Sequence, residues 1–430
     1  MATHLDAVLA FVVAMLLATL LTPLAGRLAR RLGAMAFPSE RGLAERATPL
    51  LGGVAILIAV VVAALIWMPG TIRLPHTAHA ARGPGGTVHT WALLTGAGLI
   101  ALVGAVDDLY DLPPLGKLAG QIAAAVIAVE GGAVVTDVTI PFIGPLQFPN
   151  TGGVLTVIWL VGVMNVVNFS DGVDGLAAGL CAIDGIAFSV IAFDLGVAGA
   201  AVLAALTAGA ALGFLFRNFY PASVFMGDSG SNLLGYLLGV AAVVGSLKTP
   251  AVVALVVPLA VLAVPFLDTS FVIAKRLKYR RKPWLADANH FHHRMARIGF
   301  SQRKTVAYLY AWTLLLAGVG VALRFVPYSD HHHHYRAGWL ALMISLGVLA
   351  VAASIYLVYV LEIFRFRLRR VREIRRDEPG TAEHEIAERV TREVETGEFE
   401  VVRIPPEEAR QHSGPVPGEQ TDEFETVGGG

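Results

Sequence analysis

Cysteine is all but absent from this chain, and charge is scarce. The single cysteine, Cys181, lies inside an apolar run, so neither a disulfide framework nor a cysteine metal centre can be built. Only 15% of the 430 residues are charged, 55% are hydrophobic and mean hydropathy is +0.63. A soluble globular chain carries more charge and lower hydropathy than this, so that class is excluded. Lys plus Arg and Asp plus Glu both number 33, so no excess of positive charge marks a nucleic-acid partner, and none is expected. The first apolar segment, Leu5 to Leu24, also lacks the basic start of a secretory signal. His4 and Asp6 flank its beginning, while Arg27, Arg30 and Arg31 follow it. It is expected to stay as a helix with its N-terminus outside.

What the chain has instead is a series of apolar runs long enough to cross about 30 Å of hydrocarbon. They start near Leu5, Leu50, Trp91, Lys117, Val154, Gly175, Val197, Ser231, Pro250, Thr305 and Gly338. The expectation is an all-α polytopic membrane protein with about eleven spans and a cytoplasmic C-terminus. Lys and Arg concentrate in alternate connections: Arg27 to Arg46, Lys275 to Lys304 and Arg365 to Arg376. The other connections hold only Arg73, Arg82, Lys248, Arg324 and Arg336, so the first set is assigned to the cytoplasm. Val134 to Phe148 alternates around a Gly-Pro turn and is expected as a small external β-hairpin. Pro258 and Pro265 should kink or break the ninth span. Residues 1–365 form the expected transmembrane catalytic domain. Residues 366–430 read as a basic, then acidic, cytoplasmic tail, largely disordered, with one short helix around Ala382 to Val394.

Polar islands interrupt this apolar background, all in connections assigned to the cytoplasmic face. Asp107-Asp108-Leu-Tyr-Asp111 follows the third run; Asp107 and Asp111 are one helical turn apart, with Asp108 turned by about 100°. Close carboxylates repel unless a cation or proton lies between them, so the group is either a solvated helix end or a site for a cation or phosphate. Asn165-x-x-Asn168-x-x-Asp171-Gly-x-Asp174-Gly follows the fifth run and combines turn-forming residues with amides and acids next to hydrocarbon. Phe225-Met-Gly-Asp228-Ser-Gly-Ser231 opens the eighth, where Gly227 and Gly230 permit close backbone approach and free N–H groups suit an anion. Mg2+ prefers hard oxygen ligands and typically takes one or two carboxylates plus substrate phosphates, a need that Asp228 meets.

His290-Phe-His292-His293-Arg294 lies in the most basic loop, after Arg280-Arg281-Lys282. A zinc site there would have no nearby cysteine and would use adjacent histidines; gripping a pyrophosphate with imidazolium and guanidinium groups is the simpler reading. His331 to His334 fall in a connection assigned to the outside and read as a solvated loop or an incidental metal-binding tract.

These motifs, in this order, resemble the polyprenyl-phosphate N-acetylhexosamine-1-phosphate transferases, which move a sugar phosphate from a UDP-sugar to a membrane polyprenyl phosphate. Thr48-Pro-Leu-Leu-Gly52-Gly53 is a weaker fifth match, and the resemblance spans residues 1 to about 365. It implies a multi-pass protein of the bacterial inner or plasma membrane with its active site on the cytoplasmic face. It further implies that Asp228 and Asn168 approach Mg2+, or Mn2+ in its place, and the pyrophosphate. Asp107 and Asp108 would face the polyprenyl phosphate beside Lys117. Asp171, Asp174 and Asn218 would contact the nucleotide, with Phe225 stacked on uracil. His290, His292, His293 and Arg294 would hold the sugar phosphate, and Thr48 and Asn165 would complete the substrate site. A homodimer is an arrangement this resemblance allows. One departure is Arg41-Gly-Leu-Ala-Glu-Arg46, which lacks the Arg-Lys-x-His pattern often found before Thr-Pro in the family.

The His-x-His-His form resembles the branch that uses UDP-N-acetylglucosamine, or a related sugar, more than the phospho-N-acetylmuramoyl-pentapeptide transferases, which are the alternative. The CDP-alcohol phosphotransferases also use Asp-rich helix ends, but their pattern has an Ala-Arg after the first Asp-Gly, where this chain reads Val-Asp-Gly-Leu-Ala-Ala. A transporter would place its acids near the midplane, often within internal repeats; here the acids cluster at helix ends and no repeat is visible.

Overall fold

The computed structural model describes residues 3–37, 47–74, 86–135, 137–140, 144–148, 150–246, 301–326, 336–356, 370–372, 374–376, 378, 380 and 382–396. Most of them are helical. The helices are α1 (His4–Leu32), α2 (Gly52–Trp67), α3 (Thr90–Tyr110), α4 (Pro114–Glu130), α5 (Gly152–Ser170) and α6 (Leu176–Asp194). They continue with α7 (Ala198–Asn218), α8 (Gly227–Ser246), α9 (Gln302–Phe325), α10 (Ala337–Ile355) and α11 (Glu383–Thr396). Six of them, α1, α3, α5, α6, α7 and α9, are long and apolar enough to cross a membrane, and α2 and α10 include shorter apolar helices. This is the make-up of a polytopic membrane protein: in hydrocarbon a backbone must satisfy its own polar groups, and a helix does so within one segment. The expected ninth span from Pro250, with Pro258 and Pro265, lies outside the described residues.

Sheet is slight. β1 (Met35–Ala36) pairs antiparallel with β2 (Thr48–Pro49), β3 (Thr71–Arg73) with β4 (Thr87–His89), and β5 (Asp137–Ile140) with β6 (Gly144–Gln147).

Helix ends follow local chemistry. Thr3 starts α1 with a capping box: its Oγ1 accepts from the Asp6 N–H at 3.3 Å and its own N–H donates to Asp6 Oδ2 at 2.5 Å. The helix runs on past Leu24, because Arg30 and Arg31 suit its carbonyl end and Gly33, at φ 80°, closes it with an N–H to the Ala29 carbonyl.

Helices with apolar surfaces on all sides gain little from hydrophobic burial in lipid, so close approach through small residues must hold them. Along α1 the buried face is Ala7, Ala10, Ala14, Ala18, Thr22, Ala25 and Ala29, a three-or-four-residue repeat, and the helix packs chiefly on α7 and next on α2. Opposite it, Gly209 and Gly213 of α7 lie so close to the Phe11 and Met15 carbonyls that a Cβ at either would clash with them. Thr19 Oγ1 donates across this seam to the Gly213 carbonyl at 3.1 Å.

The helix that organises the bundle is α8, which packs against α2, α3, α5, α6 and α7. Its Tyr236 is fully buried and donates to the Leu93 carbonyl of α3 at 3.2 Å. Consequently the start of α8 is met by the ends of α3 and α5 and by the start of α2.

Residues Met1–Arg370 and Val371–Gly430 form separate compact units. In the second, Ile374, Ile386 and Val390 bury together, and Arg389 reaches Glu378 at 3.2 Å while Arg375 pairs with Glu383.

Candidate active site

The site grows from the first turn of α8. Four N–H groups at a helix start lack intrahelical partners, and the macrodipole adds partial positive charge there. Asp108, from the last turns of α3, supplies the missing acceptors: its Oδ1 takes the Asp228 N–H at 2.7 Å and its Oδ2 the Ser229 N–H at 3.2 Å. Gly227, at φ 70°, makes the turn into the helix, and a side chain there would run into the Asp108 carboxylate. One turn before the acids, Gly104 lies against the Asp228–Ser229 backbone. On the other flank the Thr48–Gly53 segment grips the same turn: Phe225 N–H donates to the Pro49 carbonyl at 2.8 Å, and Gly52 and Gly53 N–H donate to the Phe225 and Met226 carbonyls at 3.1 and 3.0 Å. Thr48 is buried in this clamp and Phe225 is half-buried.

Lys117, near the start of α4, links the two acid-bearing helices. Its Nζ lies 2.6 Å from Asp107 Oδ2 and 3.2 Å from Asp228 Oδ2. Asp107 is only 8% exposed, and its second oxygen accepts the Leu112 N–H at 2.8 Å. Asn168, from the last turn of α5, donates to Asp228 Oδ1 at 3.0 Å and to Ser231 Oγ at 2.9 Å. Four of the anticipated residues, Asp107, Lys117, Asn168 and Asp228, are therefore one connected group. Asp108 joins it through the α8 backbone. Asp111 does not share their face: it sits at φ 51° as the cap that ends α3.

Asn165 is engaged one layer deeper. Its Nδ2 donates to Gln121 Oε1 at 2.9 Å and to the Val161 carbonyl at 2.8 Å. Gln121 in turn donates to Asn232 Oδ1 at 2.8 Å, and Asn232 to the Asp228 carbonyl at 2.9 Å. Sequence reading passed over Gln121 and Asn232. Their signal was present: each is a buried polar residue four places after a charged member of the site, hence on the same helical face.

The loop between α5 and α6 carries Asp171 and Asp174. Asp171 is a partly buried cap of α5, and desolvation, followed by the charges of Asp228, Asp108 and Asp174, pushes its carboxyl well above the ordinary carboxylate range. Asp174 Oδ2 accepts the Ala222 N–H at 2.8 Å. Asn218 is 2% exposed and its amide is committed to the scaffold, accepting the Gly175 N–H at 3.0 Å and donating to the Val224 carbonyl at 3.1 Å. It ties the Asp174 loop to the Phe225 turn. Tyr310 of α9 steadies the same loop by donating to the Gly175 carbonyl at 2.5 Å.

His290, His292, His293 and Arg294 lie outside the described residues, as do Arg41 to Arg46 and His331 to His334. An apolar crevice of about 610 Å³ is bordered by His4, Phe11, Phe193 and Phe325 at the opposite helix ends, away from these acids. The acid cluster, with its converging charges and helix start, is the candidate site.

Comparison with known proteins gives a consistent picture. A family model described as Glycosyl transferase family 4 matches residues 90–246, the stretch holding Asp107, Asp108, Asp171, Asp174 and Asp228. The chain is 34% identical over 309 residues to a Bacillus subtilis protein named "Probable undecaprenyl-phosphate N-acetylglucosaminyl 1-phosphate transferase", covering 70% of this chain and 81% of that one. It is 37% identical over 323 residues to the decaprenyl-phosphate N-acetylglucosaminephosphotransferase of Mycolicibacterium smegmatis, covering 70% and 78%. It is also 33% identical over 335 residues to the phospho-N-acetylmuramoyl-pentapeptide-transferase of Desulforamulus reducens, covering 74% and 94%.

Proposed function

Because this chain belongs to the polyprenyl-phosphate N-acetylhexosamine-1-phosphate transferases within glycosyl transferase family 4, we propose that it transfers N-acetylglucosamine-1-phosphate from a UDP-sugar to a membrane polyprenyl phosphate, releasing UMP. The observation that carries this reading is the placing of Lys117 between Asp107 and Asp228 at the start of a helix. The higher identity to relatives named for N-acetylglucosamine transfer favours that donor over a muramoyl-pentapeptide.

In the reaction, an oxygen of the polyprenyl phosphate forms a bond to the β-phosphorus of the UDP-sugar. The bond from that phosphorus to the bridging oxygen breaks, and UMP leaves with the electron pair. Both reactants are anions, so their repulsion is the main barrier for the protein to lower by positioning and neutralising charge. Lys117, held by two carboxylates, brings a cation to the place where two phosphates must meet. A phosphate's second pKa is about 6, so the nucleophile is largely ionised at neutral pH. Asp107 already accepts from Lys117 and the Leu112 N–H, which supports an orienting role rather than that of a strong base. Asp171 and Asp174 would meet the nucleotide, Phe225 the uracil, and the His290 to Arg294 loop the sugar phosphate. The reading places the site on the cytoplasmic face, where UDP-sugars are found.

Mg2+ fits the residues present. Among the described residues no three His, Cys, Asp or Glu side chains form a complete metal cluster, but Mg2+ takes only one or two carboxylates alongside substrate phosphates. Asp228, Asn168 through its carbonyl oxygen, and the crowded carboxylate of Asp171 would hold it. When bound it would neutralise charge on the pyrophosphate.

The test is purified protein with polyprenyl phosphate and a panel of UDP-sugars, read by UMP release with and without Mg2+. Release dependent on both substrates, greatest with UDP-N-acetylglucosamine, is expected. No release from any UDP-sugar would overturn the reading.

A further inference from the structure

α4 and α8 run in the same direction and meet along two rungs. Lys117 reaches Asp228 at 3.2 Å, and one turn deeper Gln121 reaches Asn232 at 2.8 Å; the partners in both rungs are 111 residues apart in the chain. In each helix the two residues are four apart and share a face, so the rungs rise and fall together. α4 otherwise packs mainly on α3 and α5.

We propose that Gln121 and Asn232 are positioning residues that hold α4 and α8 in the register at which Lys117 bridges Asp107 and Asp228. This rests on the transferase reading of the site.

The second rung is suited to this by polarity as well as by place. Its donors all point one way: Asn165 to Gln121, Gln121 to Asn232, Asn232 to the Asp228 carbonyl. At its other end Asn165 also donates to the Val161 carbonyl, so the chain is anchored on the backbones of α5 and α8. Gln121 is 5% exposed and Asn232 6%, too buried for water to replace a lost partner readily. Rotating α4 by one residue would turn Gln121 through about 100° and break both rungs together. The amide chain touches no reacting group in this arrangement. It acts through Lys117 on one side and through the first turn of α8 on the other.

The test exchanges the two amides. Gln121→Asn shortens one arm, Asn232→Gln lengthens the other, and the double variant restores the combined reach. Each single variant should lower kcat by about 100-fold with KM for both substrates little changed, the scale of loss for a misplacement of about 1 Å. The double variant should recover most of it, which a loss of general stability would not do. Single variants with wild-type kcat, a rise in KM alone, or a double variant no better than the singles would each overturn the proposal. Register is read separately, in a Cys181→Ala background carrying Lys117→Cys and Asp228→Cys, by bridging with a bifunctional thiol reagent. Bridging should fall with either amide substitution and return in the exchange; constant bridging overturns the proposal. An inactive wild-type protein would sink the transferase reading while the bridging assay still decides the register.

Discussion

Gly104→Ala is the sharpest probe of how the bundle sets the site. A Cβ at this position would lie 2.5 Å from the carbonyl carbon and oxygen of Asp228, and closer still to the Ser229 nitrogen. Those are backbone atoms at a helix start, so no rotamer change relieves the clash. Restoring ordinary contact requires α3 and α8 to part by about 1 Å. Asp108 is carried on the same helix one turn later, and its bond to the Ser229 N–H is already 3.2 Å long. The parting would stretch that bond beyond hydrogen-bond reach and weaken the 2.7 Å bond to the Asp228 N–H. Overpacking of this kind costs about 1–3 kcal/mol. Misplacing Asp107 and Asp108 against Asp228 by nearly 1 Å should lower kcat by about 100-fold. Gly98→Ala is the internal control: it lies on the same helix with nothing within 4 Å of a new Cβ, so it should leave kcat unchanged and the melting temperature equal or higher. The assay is UMP release together with thermal melting in the same detergent. A Gly104→Ala protein with wild-type kcat, or a Gly98→Ala protein equally impaired, would refute the reasoning.

Lys117→Met leaves Asp107 and Asp228 facing each other without their shared cation and should lower kcat by about 100- to 1,000-fold. Lys117→Arg keeps the charge but brings a planar fork to a point-charge site, so it should recover only part of the loss; full activity in Lys117→Met would exclude the proposed role. Asp171 has a folded-state pKa raised above its unfolded value, so its contribution to stability is fully present below about pH 4 and is lost as pH rises through the folded pKa. In Mg2+-free buffer, Asp171→Asn should therefore raise the melting temperature relative to wild type at pH 8 and change it little at pH 4, with melting curves across pH as the check and a pH-independent difference as the contrary result. Asn218→Ala leaves the Gly175 N–H and the Val224 carbonyl without their partner, at about 1–3 kcal/mol each. A lower melting temperature is expected, and an unchanged one with UMP binding abolished would make Asn218 a direct ligand contact instead.

Hydropathy and short-range spacing were enough to recognise a helical membrane protein and to pick out Asp107, Asp108 and Asp228, which the fold brings together at the start of α8. Both are properties of the chain taken one residue at a time: an apolar run must be helical in lipid, and a charge at its end needs a partner. The motif order likewise identified the family, because Asp107, Asn168 and Asp228 stand in the sequence as readily as in the fold. Which groups those acids would meet had no such local sign. Asp108 accepts from a helix-start N–H 120 residues later, and Asn218, read as a nucleotide contact, is tied between two backbone groups. Gln121 and Asn232 were passed over in the sequence, and their pairing shows only where α4 and α8 lie side by side. Likewise, the demand for glycine at 104 arises only where α3 lies against the backbone of α8. The periodicity of a helix states which face a residue occupies; the partner across that face depends on packing among helices far apart in the chain, and only the tertiary structure decides it.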